Sequence, residues 1–244
     1  MQLSDAVQLA RPVMAFVERS DGLLVPSGSA QWLDEEQDWP AAMRELLDRA
    51  RGRVLDAGAG AGRHAAHLAA KGHDVAAFDN SPLALELCEQ RGITARVLGE
   101  LEAVGTLFRG SPPFDTVLLL GNNVGLLGST AVGTRILRQL HAITSPEAVI
   151  LAEGRRPVVG TGDNAAYVAR NRSLGRLPGE LRMRIRYRTT ATPWFTYLFC
   201  DPADLAAIAE AAGWAVSNVT PFRHAHDASR QEPLSYTAVL HKAA

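Results

Sequence analysis

Three glycines alternate with alanines in the segment Val54-Leu55-Asp56-Ala57-Gly58-Ala59-Gly60-Ala61-Gly62-Arg63, and an acid stands two residues before the first of them. Small residues at that spacing let backbone approach a ligand closely, and the unpaired N–H groups at the start of a helix favour a negative group. The turn therefore suits a carboxylate or a phosphate, although a glycine turn of this kind also merely joins strand to helix in many proteins. Asp79 ends the next apolar segment, where an acid can accept hydrogen bonds from both ribose hydroxyls of a nucleoside lying across the strand ends. Gly99, Glu100 and Leu101 follow a third segment, where a carboxylate and backbone can read an adenine edge. Three successive strand ends thus offer contacts to an amino-acid tail, a sugar and a base, in that order.

Positioning these residues requires strands that alternate with helices. The apolar pattern predicts strands over 53–57, 74–79, 94–98, 114–120 and 148–153. Helices are predicted over 40–51, 61–71, 82–91 and 131–143, several of them stopped by glycine. Strands that are apolar on both faces imply a parallel sheet covered on both sides, with right-handed crossovers. A further helix over 202–212 and strands over 214–220 and 235–241 complete the pattern. Ahead of it, Leu3, Val7, Ala10, Met14 and Val17 recur at near-helical spacing, with Pro12 as a kink, and predict one or two helices over 3–19.

The segment around the glycines resembles the first motif of the class I S-adenosylmethionine-dependent methyltransferases, small-molecule type: strand, acid, then three glycines at alternate positions, matched by Asp56, Gly58, Gly60 and Gly62. The resemblance runs from about Arg53 to Glu153 and, less specifically, through the last two strands. It implies an α/β fold, a Rossmann-like doubly wound sheet of seven strands whose last strand is antiparallel, with a lid insertion after the fifth. The organisation expected is a helical cap over 1–50, a cofactor-binding core over 51–154, a lid over 155–200 and completion of the sheet over 201–244. S-adenosyl-L-methionine is the implied cofactor. Carried over, Asp56, Ala57, Gly58, Gly60 and Gly62 meet its methionine end, Asp79 holds the ribose, Asn80, Gly99 and Leu101 flank the adenine, and Glu100 meets the adenine amino group. Gly121, Asn122 and Asn123 line the floor between methionine and acceptor.

The rival reading of the turn is a dinucleotide site, which wants its third glycine three residues after the second, and there Arg63 stands instead. On the substrate side, Asn123 follows an apolar strand at the point where chemistry would occur, and its amide can orient a hydroxyl or amine. Val124 and Gly125 then replace the two prolines and aromatic ring that base-methylating DNA enzymes carry here. Pro193, Trp194, Phe195, Tyr197 and Phe199 form an aromatic cluster from which Trp194 or Tyr197 can cover the reacting centre, as can Trp32 and Trp39 from the N-terminal segment. His224 and His226 border the mouth in the loop between the last two strands, while His64 and His67 lie in the first helix after the glycines. Of these, His226, Asn123 and Tyr197 are the expected catalytic residues, with His226 as a base near neutral pH.

Between Arg155 and Arg188 the chain holds nine Arg against Asp163 and Glu180. Arg182, Arg184, Arg186 and Arg188 alternate with Leu181, Met183, Ile185 and Tyr187, the period of a half-buried strand. This is a solvated sheet face, a clamp for an anionic acceptor, or a surface for RNA backbone. The whole chain is balanced, with Lys+Arg 25, Asp+Glu 26 and a formal net charge of -1, so its surface as a whole is not built to seek nucleic acid or anionic membrane. With 47% apolar residues it has ample material for a core. No apolar run reaches the length of a membrane span, and no charged region precedes an apolar one at the N-terminus, so a cytoplasmic protein is expected. The predominance of Arg over the two lysines, Lys71 and Lys242, together with heavy Ala usage, points to a GC-rich bacterial genome. Cys88 and Cys200 are isolated, and no carboxylate–histidine cluster implies a metal. The activity expected is transfer of a methyl group to an oxygen or nitrogen of a small molecule. The alternatives are a non-catalytic S-adenosylmethionine-binding regulator or an RNA methyltransferase.

Overall fold

The computed structural model describes residues 13–28, 32–160, 162–224 and 232–243. In chain order its elements are β1 (Met14–Arg19), β2 (Leu24–Gly28), α1 (Ala41–Leu47), β3 (Arg53–Ala57), α2 (Arg63–Ala70), β4 (Asp74–Asp79), α3 (Pro82–Gln90) and β5 (Ala95–Leu98). There follow α4 (Val104–Leu107), β6 (Phe114–Leu119), α5 (Thr130–Ala142), β7 (Thr144–Arg155), α6 (Gly162–Ser173), β8 (Glu180–Tyr187), β9 (Thr190–Ala191), β10 (Phe195–Leu198), α7 (Pro202–Glu210), β11 (Trp214–Phe222) and β12 (Ser235–Lys242).

The larger sheet has seven strands in the order β11-β12-β7-β6-β3-β4-β5. Neighbours from β7 to β5 are parallel, and β12 runs antiparallel to both β7 and β11. This is the doubly wound sheet with its last strand reversed that the family resemblance implies. Alternation along each strand explains the two layers of cover. From β3, Val54 enters a core with Met43 and Leu47 of α1, Leu68 of α2 and Leu85 of α3, whereas Leu55 enters the opposite core with Ile136 and Leu140 of α5 and Ile208 of α7. Cys88 and Cys200 are buried, one in each core.

Helix starts follow local chemistry. Ser81 and Ser129 cap α3 and α5 by accepting from Ala84 N at 3.3 Å and Val132 N at 3.4 Å, and Asp201 caps α7 ahead of Pro202. No described helix is long and apolar enough to cross a membrane.

The N-terminal segment departs from expectation. Met14–Arg19 is a strand, not part of a helix: Ala15 and Arg19 are buried while Met14 and Phe16 are exposed. Met14 and Val17 fit a helical period equally well, and pairing with β2 and β8 decides the matter. The helical cap expected over 1–50 is thus replaced, within its described residues, by a hairpin followed by the short helix α1. That hairpin completes a second, antiparallel sheet in the order β10-β8-β1-β2, so the insertion after β7 is built together with the N-terminal segment. Helix α6 was legible only as an Arg-bearing stretch, because its buried residues are just Tyr167, Val168 and Asn171.

Candidate active site

The loops at the carboxyl ends of β3, β4, β5 and β6 gather most of the predicted residues, as parallel sheets of this topology do. Gly58, Gly60 and Gly62 all adopt positive φ, which favours glycine over any residue with a Cβ. The turn is fastened on three sides. Gly58 N and Ala59 N donate to Phe78 O at 2.7 and 3.0 Å. Gly60 N donates to Asp79 Oδ2 at 2.9 Å. Asn123 Nδ2 donates to Ala57 O at 3.0 Å and Gly58 O at 2.8 Å. A Cβ on Gly58 would stand 2.5 Å from that amide, and one on Gly62 would stand 2.8 Å from Cys88 Sγ. Gly62 therefore serves the packing of α2 on α3.

Asp56 is 2% exposed, and its Oδ2 is buried with no hydrogen-bond partner. Burial, aided by the charge of Asp79, pushes its carboxyl up to about 7. Asp79 is also raised by burial, against the N–H groups of Gly60 and Ser81 that favour its charged form; Ser81 N donates to its Oδ1 at 2.8 Å. At the next strand end, Asn80 Nδ2 lies 3.3 Å from both carboxylate oxygens of Glu100. Gly99 N donates to Asp79 O at 3.0 Å, and Leu101 is half-buried at the start of a 3-10 turn.

After β6, Gly121 and Asn122 both take left-handed backbone, the latter at φ 65, a conformation that Asn tolerates through its short polar side chain. Gly121 N donates to Glu153 Oε2 at 2.7 Å. Asn122 O accepts from the Tyr197 hydroxyl at 2.6 Å, and Asn122 Oδ1 is buried without a partner. Burial and then the charge of Glu153 raise the Tyr197 hydroxyl, so it acts as a neutral donor. A Cβ on Gly121 would stand 2.9 Å from the ring of Trp32, and the Tyr197 ring fills the space beside Gly125. Two aromatic rings from the second sheet and its flank thus press on one loop.

Some expected positions go elsewhere. Asn123 commits its amide to the glycine turn, which makes it a positioning residue in this geometry. His226 lies outside the described residues. Trp39 is buried and meets His64 and His67 edge-on, with ring centroids 5.0 and 5.3 Å apart, and so packs on α2. Arg184 and Arg186 bind Glu18 of β1 at 2.7 and 3.0 Å, and Arg184 stacks over Trp194. By strand alternation these guanidinium groups share the face opposite Leu181, the register partner of Tyr197. Arg184 and Arg186 thus form a paired outer sheet face, and Arg188 lies past the end of β8 at φ 51.

Two residues were missed. Glu153, 1% exposed, holds Gly121 N and lies 2.9 Å from His224 Nε2. Its signal was available: a carboxylate at the end of an otherwise apolar strand rarely sits there for packing. Arg63 begins α2, half-buried, within the fields of Glu153, Asp34 and Asp56; burial lowers its pKa.

Residues 54–147 match a family model described as a methyltransferase domain. The chain carries a class I methyltransferase fold. Among solved structures it is similar to a SAM-dependent methyltransferase from Bacteroides fragilis in complex with S-adenosyl-L-homocysteine, with a TM-score of 0.78 and 24% identity over 100% of this chain and 93% of that one. It is similar also to the 1,6-didemethyltoxoflavin-N1-methyltransferase of Burkholderia thailandensis, with a TM-score of 0.57 and 21% identity over 88% of this chain and 82% of that one. The CcbJ methyltransferase of Streptomyces caelestis gives a TM-score of 0.55 and 18% identity over 85% and 94% of the two chains. None of the curated proteins matches the sequence.

The residues in this fold fit S-adenosylmethionine. A buried carboxylate oxygen lacking a donor suits an ammonium group, and the Asp79 carboxylate one strand over has the chemistry to accept from a diol.

Proposed function

We propose that the chain transfers the methyl group of S-adenosylmethionine to an oxygen or nitrogen of a small molecule. The observation that carries this reading is the partnerless, buried Asp56 oxygen below the three left-handed glycines. When bound, the cofactor supplies a methyl group already activated by a positive sulfur. The chain's own residues then have to bind, align and exclude water. Asp56 takes the ammonium, the Gly58–Gly60 main chain passes the amino-acid tail, and Asp79 holds the ribose hydroxyls. Asn80, Gly99 and Leu101 flank the base, and Glu100 receives its amino group. Gly121 and Asn122 form the floor, while Tyr197 and Trp32 close the mouth. The acceptor reading as a small molecule is supported by this walled mouth and by the pairing of Arg184 and Arg186 with Glu18, which withdraws charge from a nucleic-acid surface.

The raised Asp56 carboxyl gives a test that needs no acceptor. In the free protein Asp56 holds its proton up to about pH 7, and a cationic partner favours the ionised form. At pH 6, calorimetry in buffers of different ionisation enthalpy should find up to about one proton released as S-adenosylhomocysteine binds, and none in Asp56→Asn. Binding that is independent of buffer in the wild type removes the ammonium role. The same shift sets the stability profile. The folded state holds this proton more tightly than the unfolded chain, so this group's contribution falls as pH rises from the ordinary carboxylate range to about 7. The slope is at most about 1.4 kcal/mol per pH unit, and Asp56→Asn should flatten it. The acceptor itself is sought by incubating the enzyme and methyl-labelled S-adenosylmethionine with alcohols, phenols and amines.

A further inference from the structure

Three buried polar side-chain atoms have no hydrogen-bond partner among the described residues: Asp56 Oδ2, His64 Nε2 and Asn122 Oδ1. A buried polar atom left alone costs free energy, so each calls for an explanation. The His64 ring is committed to packing, edge-on to Trp39 with centroids 5.0 Å apart in the layer that α1 and α2 share. Asp56 receives the cofactor's ammonium in the reading above. Asn122 Oδ1 is left. Its backbone is held from three directions. On one side Gly121 N donates to Glu153 Oε2 at 2.7 Å. On the other, the Asn123 amide is bound to Ala57 O and Gly58 O. The carbonyl of Asn122 itself accepts from the Tyr197 hydroxyl at 2.6 Å. These bonds keep the residue left-handed, at φ 65 and ψ 27. The residue as a whole is half-buried, so the oxygen lies just beneath the surface of the loop after β6 and not deep in a core.

The donor it awaits follows from the chemistry of what meets at that loop. The cofactor's carboxylate only accepts, its ammonium is matched to Asp56 and its diol to Asp79, and its sulfonium methyl carries only C–H. The molecule that remains is the methyl acceptor. Resting on the methyltransferase reading, we infer that Asn122 Oδ1 is the specificity-determining atom at the point of transfer, accepting the N–H or O–H of the acceptor's own reacting atom. The acceptor is then a neutral amine, alcohol or phenol. A carboxylate would set oxygen against oxygen, and a tertiary amine or a sulfide has no hydrogen to offer. In the step, a lone pair of the acceptor heteroatom forms the bond to the methyl carbon as the carbon–sulfur bond breaks and leaves its pair on sulfur. The heteroatom gains positive charge, so its hydrogen becomes a stronger donor and the bond to Oδ1 tightens toward the transition state. The proton then leaves for water.

The probe that tests this needs no acceptor. Sinefungin, in which a carbon bearing an ammonium replaces the sulfonium and its methyl, places N–H donors at the point of transfer, and S-adenosylhomocysteine places none. Calorimetry gives the ratio of the two affinities in the wild type, in Asn122→Gly and in Asn122→Asp; Gly and Asp both tolerate the left-handed backbone. Taking the ratio cancels any loosening of the loop that weakens both ligands alike. The wild type should favour sinefungin, Asn122→Gly should cut that preference by about 10- to 150-fold, and Asn122→Asp, which keeps an oxygen there, should hold or raise it. The inference is overturned by an unchanged ratio in Asn122→Gly, by an equal loss for both ligands, by a loss as large in Asn122→Asp, or by a rise in Asn122→Gly, which would mean that the amide presents its nitrogen. If neither ligand binds the wild type, the methyltransferase reading falls and this inference with it; if both bind, that reading stands whatever the ratio does.

Discussion

Replacing Asp79 with alanine should weaken S-adenosylhomocysteine binding by about 10- to 150-fold, the equivalent of about 1.5–3 kcal/mol for charge-assisted hydrogen bonds to a diol. The substitution removes both ribose acceptors at once. It also frees Gly60 N, which Asp79 Oδ2 receives at 2.9 Å, so the middle of the glycine turn loses its tether to β4. Stability should move little, because removing a carboxylate that burial disfavours offsets the loss of the acceptor for Gly60 N and Ser81 N. Calorimetry and thermal unfolding separate the two effects: affinity falls while the melting temperature holds. Equal affinity in the variant would remove the sugar-binding role, and a parallel fall in both would make Asp79 a structural residue.

Asn123→Ala should destabilise the fold by about 2–4 kcal/mol, since it strips the donor from two main-chain carbonyls, of which that of Ala57 belongs to a fully buried residue. The loss has a second consequence. Without the amide, the turn at Gly58 is no longer fastened to the loop after β6, and cofactor affinity should decline with stability. Asn123→Asp sets a carboxylate against the same two carbonyls and should be no better tolerated. Urea unfolding gives the stability of each variant. A variant that keeps wild-type stability and affinity but loses methyl transfer would return Asn123 to the catalytic role that its place after β6 implies in the sequence.

The two asparagines after β6 show what a sequence leaves open. Strands β3 to β7 were legible because apolar residues on both faces admit few arrangements, and the glycines marked their turn through a backbone need that no other residue meets. The destination of a side chain is another matter. Asn122 and Asn123 are adjacent and chemically identical, yet one turns its amide to the glycine turn and the other leaves an oxygen buried without a donor. Only the neighbouring strand decides which. The alternation of Arg182, Arg184 and Arg186 correctly announced a strand, but its face was set by Glu18, far away in sequence. Met14–Arg19 was misread for the same reason: its helical spacing was short, and partners β2 and β8 fixed it as a strand. Glu153 was visible as a lone acid at a strand end, while its link to His224 across the sheet was not.

The central claim is that the glycine turn receives an amino-acid tail and Asp79 a nucleoside, together forming one cofactor site. Competitive calorimetry with S-adenosylhomocysteine and NAD tests it directly. Saturable one-to-one binding of S-adenosylhomocysteine, undisturbed by excess NAD, is the predicted result. Tight NAD binding that displaces or replaces it would contradict the account.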